Sequence, residues 1–334
     1  MSEPDRPPSR RTQLQRLAAL LLAPAWSTLP ARPAHAQGGR TLRLLVGFPP
    51  GGGTDAIARV LAERLKDELG HPVIVDNRPG AGGQIAAQAL KSAPADGSTL
   101  FVSHDHTISI LPLVLKNPGF DPHKDFVAVA GFATFVNALA LSAGTPANSF
   151  AEYVDWVKAQ GGRSAVGIPA PASVPEFLVR VIGDTYQLDL AAAPYRGSAP
   201  MIGDMLGNQI AAGVGSVPDF IEHHRAGKLR VVAVLGDRRQ PALPAVPTFA
   251  ELGLAGFEDV PYYGVFAPAG TPAAALEQFS SALGRVLAQR DVHERLTTMG
   301  LTVGLVPGPQ LAARERAYAA TWAAIIRRSG FRPQ

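Results

Sequence analysis

Residues 41–69 read TLRLLVGFPPGGGTDAIARVLAERLKDEL, which is a strand, a glycine-rich turn and a helix in succession. Thr41 to Phe48 is a short apolar run, typical of a buried parallel strand. From Ile57 to Leu69 apolar residues recur about every four positions, which predicts one apolar face of a helix. The segment therefore predicts the first unit of an open α/β sheet.

The same alternation continues along the chain. Strands are predicted at residues 73–75 and 99–103, with a helix at 84–91 between them. A second series after Pro146 has strand-like runs at 164–168, 188–192, 209–215 and 229–235, separated by helical stretches. An extended segment at 262–267 and helices at 272–289, 291–299 and 310–328 complete the chain. This order predicts two mainly parallel sheets flanked by helices, with right-handed crossovers.

Composition narrows the classes of function. The 334 residues are 46% hydrophobic and contain no Cys, which excludes disulfides and cysteine-based metal sites. Five of the 31 basic and two of the 27 acidic residues lie in the first 36, so the remainder carries a net charge of +1. Without a basic block, no nucleic-acid or membrane-surface partner is expected.

The first 36 residues have the three parts of a signal peptide. Met1 to Arg16 is rich in Arg, Leu17 to Ala25 is short and apolar, and Ala34-His35-Ala36 fits a cleavage site. Ser9-Arg10-Arg11-Thr12 also fits twin-arginine export, so the general and twin-arginine routes both stay open. The sequence predicts a mature protein that begins at Gln37 and is free in the periplasm.

Two glycine-rich turns precede helices, an arrangement that presents backbone N–H groups to an anion. Nucleotide fingerprints fail at both turns, because Ala56 and Ile85 stand where the last Gly belongs, and no phosphate-loop Lys occurs. What remains is a backbone anion site at Gly51–Gly53 without nucleotide specificity. No cofactor is expected.

His104-Asp105-His106 follows the third predicted strand, at the edge where open α/β sheets bind ligands. Three donors without further ligands do not predict a metal site, so we expect these residues to line a ligand cleft or to cap the loop. No nucleophile elbow and no Cys supports covalent catalysis. The sequence therefore predicts a binding protein and no enzyme.

Several motifs together resemble the Bug receptors, the solute-binding subunits associated with tripartite tricarboxylate transporters. They occur in the family's order over nearly the whole mature chain, as GFPPGGGTD at 47–55, DNRPGAGG at 76–83, PYRGSAP at 194–200, AGKLR at 226–230, LPAVPT at 243–248 and FAPAGTP at 266–272. The loop at 167–176 departs from the family's pattern, because Glu176 stands near where His is expected. Ser216 also stands where an acidic or amide residue is frequent.

The resemblance implies a two-lobed flytrap that closes on a small carboxylate, holding it by loops and water rather than by an Arg clamp. We expect residues 37–134 and 262–334 to form the first lobe and 135–261 the second. The hinge should lie at the two crossings, near residues 133–137 and 261–264.

On this interpretation the ligand contacts both lobes. The first lobe should contribute Phe48, Gly51, Gly52, Gly53, Thr54, Asp55, Ser103, His104, Asp105 and His106, although Thr54 or Asp55 equally suits helix capping. The second should contribute Ala172, Ser173, Tyr195, Arg196, Gly197, Ser198 and Ser216.

The predicted function is that of a monomeric periplasmic receptor for a small organic acid, working with membrane permease subunits. Two alternatives stay open on the same scaffold. One is an α/β enzyme that acts on a small anionic substrate, and the other is a periplasmic ligand-sensing partner of a signalling system.

Overall fold

The computed structural model describes residues 41–254 and 259–333; the predicted signal peptide at 1–36 lies outside them. The described chain forms two sheets flanked by helices, which confirms the predicted α/β architecture. Among these residues no helix combines the length and the apolar character that crossing a bilayer requires.

The first sheet has the strand order β11-β4-β10-β3-β1-β2, with strands numbered along the chain. Its strands are β1 (Leu42–Val46), β2 (Val73–Asn77), β3 (Thr99–His104), β4 (Phe126–Thr134), β10 (Tyr262–Pro268) and β11 (Thr302–Pro307). Its helices are α1 (Gly53–Leu69), α2 (Gln84–Lys91), α3 (Leu111–Val114), α4 (Pro122–Asp125), α9 (Ala273–Ala288), α10 (Arg290–Thr298) and α11 (Gly308–Arg328).

The second sheet has the order β7-β6-β8-β5-β9. Its strands are β5 (Asn137–Ser142), β6 (Arg163–Ile168), β7 (Asp189–Pro194), β8 (Ala212–Ser216) and β9 (Leu229–Val234). Its helices are α5 (Phe150–Ala159), α6 (Val174–Tyr186), α7 (Ser198–Leu206) and α8 (Val217–Arg225).

Most strands of each sheet run in one direction, as predicted, but each sheet also contains antiparallel strands. The predicted βαβ units are parallel: β1 pairs with β2 and β3, and β6 pairs with β7 and β8. The antiparallel pairs all contain β5, β10 or β11. Strand β5 enters the second sheet and β10 returns to the first, so each runs against the βαβ strands beside it.

The chain passes between the sheets at two adjacent points. It leaves the first sheet after Thr134 and enters the second at Asn137, and it returns at Tyr262. The backbone N–H of Phe135 donates to the carbonyl of Pro261 at 3.2 Å, so the two connections lie side by side. The hinge predicted here remains a prediction.

Helix α1 illustrates how local sequence sets the elements that carry the site. Gly52 is its N-cap, and Gly70 ends it in the left-handed conformation with φ of 71°, which favours glycine. Ile57, Leu61 and Leu65 are buried against the first sheet, as their spacing predicts. The helix therefore begins directly after the glycine-rich turn, at the carboxyl end of β1.

Candidate ligand cleft between the sheets

A cavity of about 50 Å³ lies between the two sheets. It is lined by Phe48, Thr54, His104, Asp105, His106, Phe135, Asn137, Pro169, Ala170, Ser173, Val174, Pro175, Ser198, Ser216, Asp219 and Tyr263. Many of these residues follow the carboxyl ends of strands or begin helices, where α/β sheets place their ligands. The fold thus brings one set of polar groups from each sheet into a single enclosed space.

The structure brings part of the predicted site together in this cavity. The predicted residues that line it are Phe48, Thr54, His104, Asp105, His106, Ser173, Ser198 and Ser216. The predicted residues that do not are Gly51, Gly52, Gly53, Asp55, Ser103, Ala172, Tyr195, Arg196 and Gly197. The predicted residues that do not line the cavity are close in the chain to those that do, and their contact with a ligand remains a prediction.

The glycine-rich turn already holds carboxylates of the protein itself. The N–H of Gly51 donates to Asp55 Oδ2, and the N–H of Gly53 donates to Asp219 Oδ1, each at 3.0 Å. This revises the expectation that both donors are offered to a ligand. At Gly52 an added Cβ would lie 2.8 Å from the Ser198 hydroxyl, so the turn packs directly against the start of α7.

Asp55 is bound on several sides. Burial raises its pKa, but hydrogen bonds from the Arg59 guanidinium, the Gly51 N–H and the Asn77 amide outweigh burial and leave the pKa below its ordinary value. Arg59 also pairs with Asp55 at 2.9 Å. Asp55 is therefore ionised, and its carboxylate holds the Gly51 N–H of the turn that precedes α1.

Asp219 links the two sheets at the edge of the cavity. Its Oδ2 accepts hydrogen bonds from the Ser216 N–H at 3.0 Å and from the Ser216 hydroxyl at 2.6 Å, which caps α8. Its Oδ1 accepts the Gly53 N–H at the start of α1. One carboxylate thus serves two helix starts from opposite sides of the cleft.

Aromatic rings surround His104. Its imidazole stacks on Phe48 with ring centroids 5.0 Å apart and meets Tyr263 and Phe135 edge-on at 5.5 and 5.9 Å. Its Nδ1 lies 3.3 Å from Asp105 Oδ1. Burial, together with the charge of Asp219, raises the pKa of Tyr263, so its phenol is neutral and lies 3.3 Å from the Thr54 hydroxyl.

His106 and Ser103 are buried polar residues. Both His106 ring nitrogens and the Ser103 hydroxyl lack a hydrogen-bond partner within the described residues. Burial, reinforced by the neighbouring His104, lowers the pKa of His106 from 6.5 to about 4. His106 is therefore a neutral group in the cavity wall at neutral pH.

Two polar side chains of the cavity wall, Ser198 at the start of α7 and Asn137 at the start of β5, have no partner in the described chain. The Ser198 hydroxyl and the Asn137 amide line the cavity, are 7% and 5% exposed, and make no side-chain hydrogen bond to the described part of the chain. Helix α7 has neither a side-chain cap nor an acidic residue in its first turn. Its first backbone N–H groups lack acceptors inside the helix, so this end is suited to hold a carboxylate.

The other predicted residues of the second sheet serve the loops around the cavity. The Tyr195 hydroxyl donates to Asp204 at 2.6 Å, the N–H of Ala172 donates to Glu176 at 2.6 Å, and the Gly197 N–H donates to the Pro169 carbonyl at 2.9 Å. Arg196 is exposed. Among the lining residues of the described chain none is Lys or Arg.

Several lining residues escaped the sequence prediction. Phe135, Asn137 and Tyr263 lie in the two crossings between the sheets. The sequence predicts a hinge at these crossings but no ligand contacts. Asp219 had a readable signal, because Ser216-Val217-Pro218-Asp219 has the spacing of a capping box. No cluster of metal-ligating side chains occurs among residues 41–254 and 259–333.

Two α/β sheets with a cavity between them define the class of two-lobed solute-binding proteins. Residues 57–331 match the tripartite tricarboxylate transporter family receptor, TctC. The chain therefore belongs to this receptor family, as the motifs predicted.

Individual relatives agree with this assignment. The chain is 32% identical to protein BugT of Bordetella pertussis over 96% of this chain and 98% of that one. The structure of the periplasmic binding protein BugD has a TM-score of 0.84 and 28% identity, covering 89% of this chain and 99% of BugD. The structure of R. palustris Rpa4515 with adipate also has a TM-score of 0.84 to this chain, with 29% identity, and covers 89% of this chain and 99% of Rpa4515.

Proposed function

We propose that this protein is a periplasmic receptor that binds a small organic acid between its two sheets and passes it unchanged to membrane permease subunits. The observation that carries the proposal is the uncapped start of α7, where the Ser198 hydroxyl lines the cavity together with the Asn137 amide of β5, both without partners in the described chain. A hydroxyl, an amide and backbone N–H groups are neutral donors that hold a carboxylate and still release it. The adipate complex of Rpa4515 supports this ligand class.

Calorimetric titration of the mature protein, residues 37–334, with adipate and other small carboxylates tests the proposal. We expect saturable binding of one acid per chain, and mass spectrometry should recover that acid unchanged. Conversion of the bound acid into a product would support the enzyme alternative. Absence of binding throughout the acid panel would contradict the receptor proposal.

Gly52→Ala tests whether binding requires close approach of the two sheets. The added methyl group would meet the Ser198 hydroxyl at 2.8 Å, so this hydroxyl has to leave its position at the meeting point of the two sheets. We expect affinity for the identified acid to fall by at least about tenfold. Gly203→Ala is the matched control, because a Cβ there meets nothing within 4 Å, and its affinity should be unchanged.

Arg196→Gln tests how the anion is held. Arg196 is exposed and does not line the cavity, so affinity should change by less than about threefold. A loss larger than that caused by Gly52→Ala would show that an arginine clamp holds the carboxylate.

Export is tested separately from binding. Amino-terminal sequencing of the protein from the periplasmic fraction should give Gln37 as the first residue. Deleting the gene should abolish uptake of the identified acid if permease subunits are the partners. Unchanged uptake together with a lost transcriptional response would favour the sensing alternative.

A further inference from the structure

The charge of the cavity wall limits the number of carboxylates that the ligand can carry. Asp105 and Asp219 both line the cavity, and no described lining residue is Lys or Arg. His106 is neutral, since burial lowers its pKa to about 4. The His104 imidazole lies 3.3 Å from the Asp105 carboxylate, so these two residues together add no net positive charge, and Asp219 leaves the cavity negative. An uncompensated second carboxylate on the ligand would meet like charge in an enclosed site.

The carboxylates already present at the helix starts around the cavity independently limit the number of negative groups that the ligand can carry. The starts of α1 and α8 are matched by Asp219, and α1 also has Asp55 in its first turn. At α6, Glu176 accepts the N–H of Ala172. Only α7, of these four helices, has no carboxylate at its start within the described chain. The cavity therefore offers one anion position, next to Ser198 and Asn137.

The rest of the lining suits a cation. Asp219 accepts three hydrogen bonds, and one of its roughly four lone-pair positions remains for a ligand donor. The rings of Phe48, Phe135 and Tyr263 line the same space. Aromatic faces and a carboxylate together are the groups that attract an ammonium ion.

The cavity is also small. Its volume is about 50 Å³, whereas one water molecule requires roughly 10–15 Å³ on the same scale. This volume favours a small ligand.

We propose that the ligand is a small zwitterion, with one carboxylate at the start of α7 and an ammonium group facing Asp219 and the aromatic rings. This inference rests on the proposed receptor function and narrows it to amino acids, in contrast to the dicarboxylate adipate found with Rpa4515.

Two series of related acids test the inference on the wild-type mature protein. The first is 4-aminobutanoate, pentanoate and glutarate, and the second is alanine, 2-methylpropanoate and methylmalonate. Within each series only one group changes, from ammonium to methyl to carboxylate. In at least one series we expect the ammonium member to bind more than about tenfold tighter than the methyl member, with the carboxylate member weakest.

Asp219→Asn adds a test of the residue itself. Removing the negative charge should reduce the preference for ammonium over carboxylate by at least about tenfold. Asp121→Asn is the matched control, since Asp121 also caps a helix but lies outside the cavity, and its preference should equal that of wild type. If Asp219→Asn does not fold, the wild-type series alone decides.

The outcomes separate the two proposals. Tighter binding of glutarate, methylmalonate or adipate than of the amino acids would overturn the zwitterion inference and leave the organic-acid receptor intact. Failure of every member of both series and of adipate to bind would overturn the receptor proposal and the zwitterion inference with it.

Discussion

Single residues of this protein do more than one task when they lie at the cleft. Asp219 caps its own helix through Ser216 and also receives the Gly53 N–H from the other sheet. Each hydrogen bond to a charged acceptor contributes about 1.5–3 kcal/mol. The same carboxylate that stabilises the helix start therefore also ties the sheets together and makes the cavity negative.

The buried His106 should make the free energy of unfolding depend on pH. Because the pKa of His106 falls from 6.5 to about 4 on folding, the unfolded chain binds a proton there between these values and the folded chain does not. The free energy of unfolding should thus fall by about 3 kcal/mol as pH drops through this window, and recover above about pH 6.5.

Urea denaturation of wild type and His106→Leu at about pH 7 and about pH 4.5 measures this contribution. The variant should lose less stability on acidification than wild type. His293→Leu, at an exposed position, should follow wild type. Equal losses in wild type and His106→Leu would contradict the assignment.

At the scale of elements, each helix start at the cavity is stabilised differently. Helix α5, away from the cavity, is capped by Ser149, with the Glu152 N–H donating to the Ser149 hydroxyl at 3.2 Å. Helix α7 begins at Ser198 after Gly197, whose φ of 101° and contact with Pro49 leave little room for a side chain. The uncapped start is therefore unfavourable for the stability of α7. It is also the position where we propose that the carboxylate of the ligand binds.

Gly203 offers a prediction for α7 as an element. It is an exposed interior position of the helix, and a Cβ there meets nothing within 4 Å. Gly203→Ala should stabilise the protein by about 0.5–1 kcal/mol, because alanine loses less backbone entropy in a helix. Chemical denaturation checks this value, and a destabilised variant would show that α7 bends or moves at this residue.

At the scale of the whole molecule, α11 contacts the first sheet and also α6, a helix beside the second sheet. The Tyr318 hydroxyl donates to Asp105 Oδ2 at 2.9 Å, at the end of β3, while the Trp322 ring lies 5.6 Å from Phe177 on α6. The predicted first lobe contains the whole segment 262–334, yet its last helix packs on α6 of the predicted second lobe as well. This helix couples the stability of the two sheets.

Trp322→Ala tests that coupling. Trp322 is 2% exposed, and truncating a buried Trp typically costs about 3–5 kcal/mol. We expect this loss in one cooperative transition when far-UV circular dichroism follows denaturation. Arg316→Ala, on the exposed face of α11, should change stability by less than about 0.5 kcal/mol. Two separate transitions in wild type would contradict the coupling.

The sequence by itself determined the βαβ units, the helix faces and the loops that hold the site. Ile57, Leu61 and Leu65 are buried as their spacing predicts, and the strands from β1 to β3 are parallel. These features depend on interactions between residues close in the chain, so periodicity and turn residues suffice to find them.

Only the tertiary structure decided the strand directions at the crossings and the charge of the cavity. Strands β4, β5 and β11 are absent from the strands predicted from the sequence. Strands β5 and β11 run antiparallel to their neighbours. Gly53 and Asp219 are 166 positions apart, and their hydrogen bond replaced the free donor expected at the glycine-rich turn. Local sequence predicts that a helix start attracts an anion, but the position of a distant carboxylate determines whether a ligand or the protein supplies it.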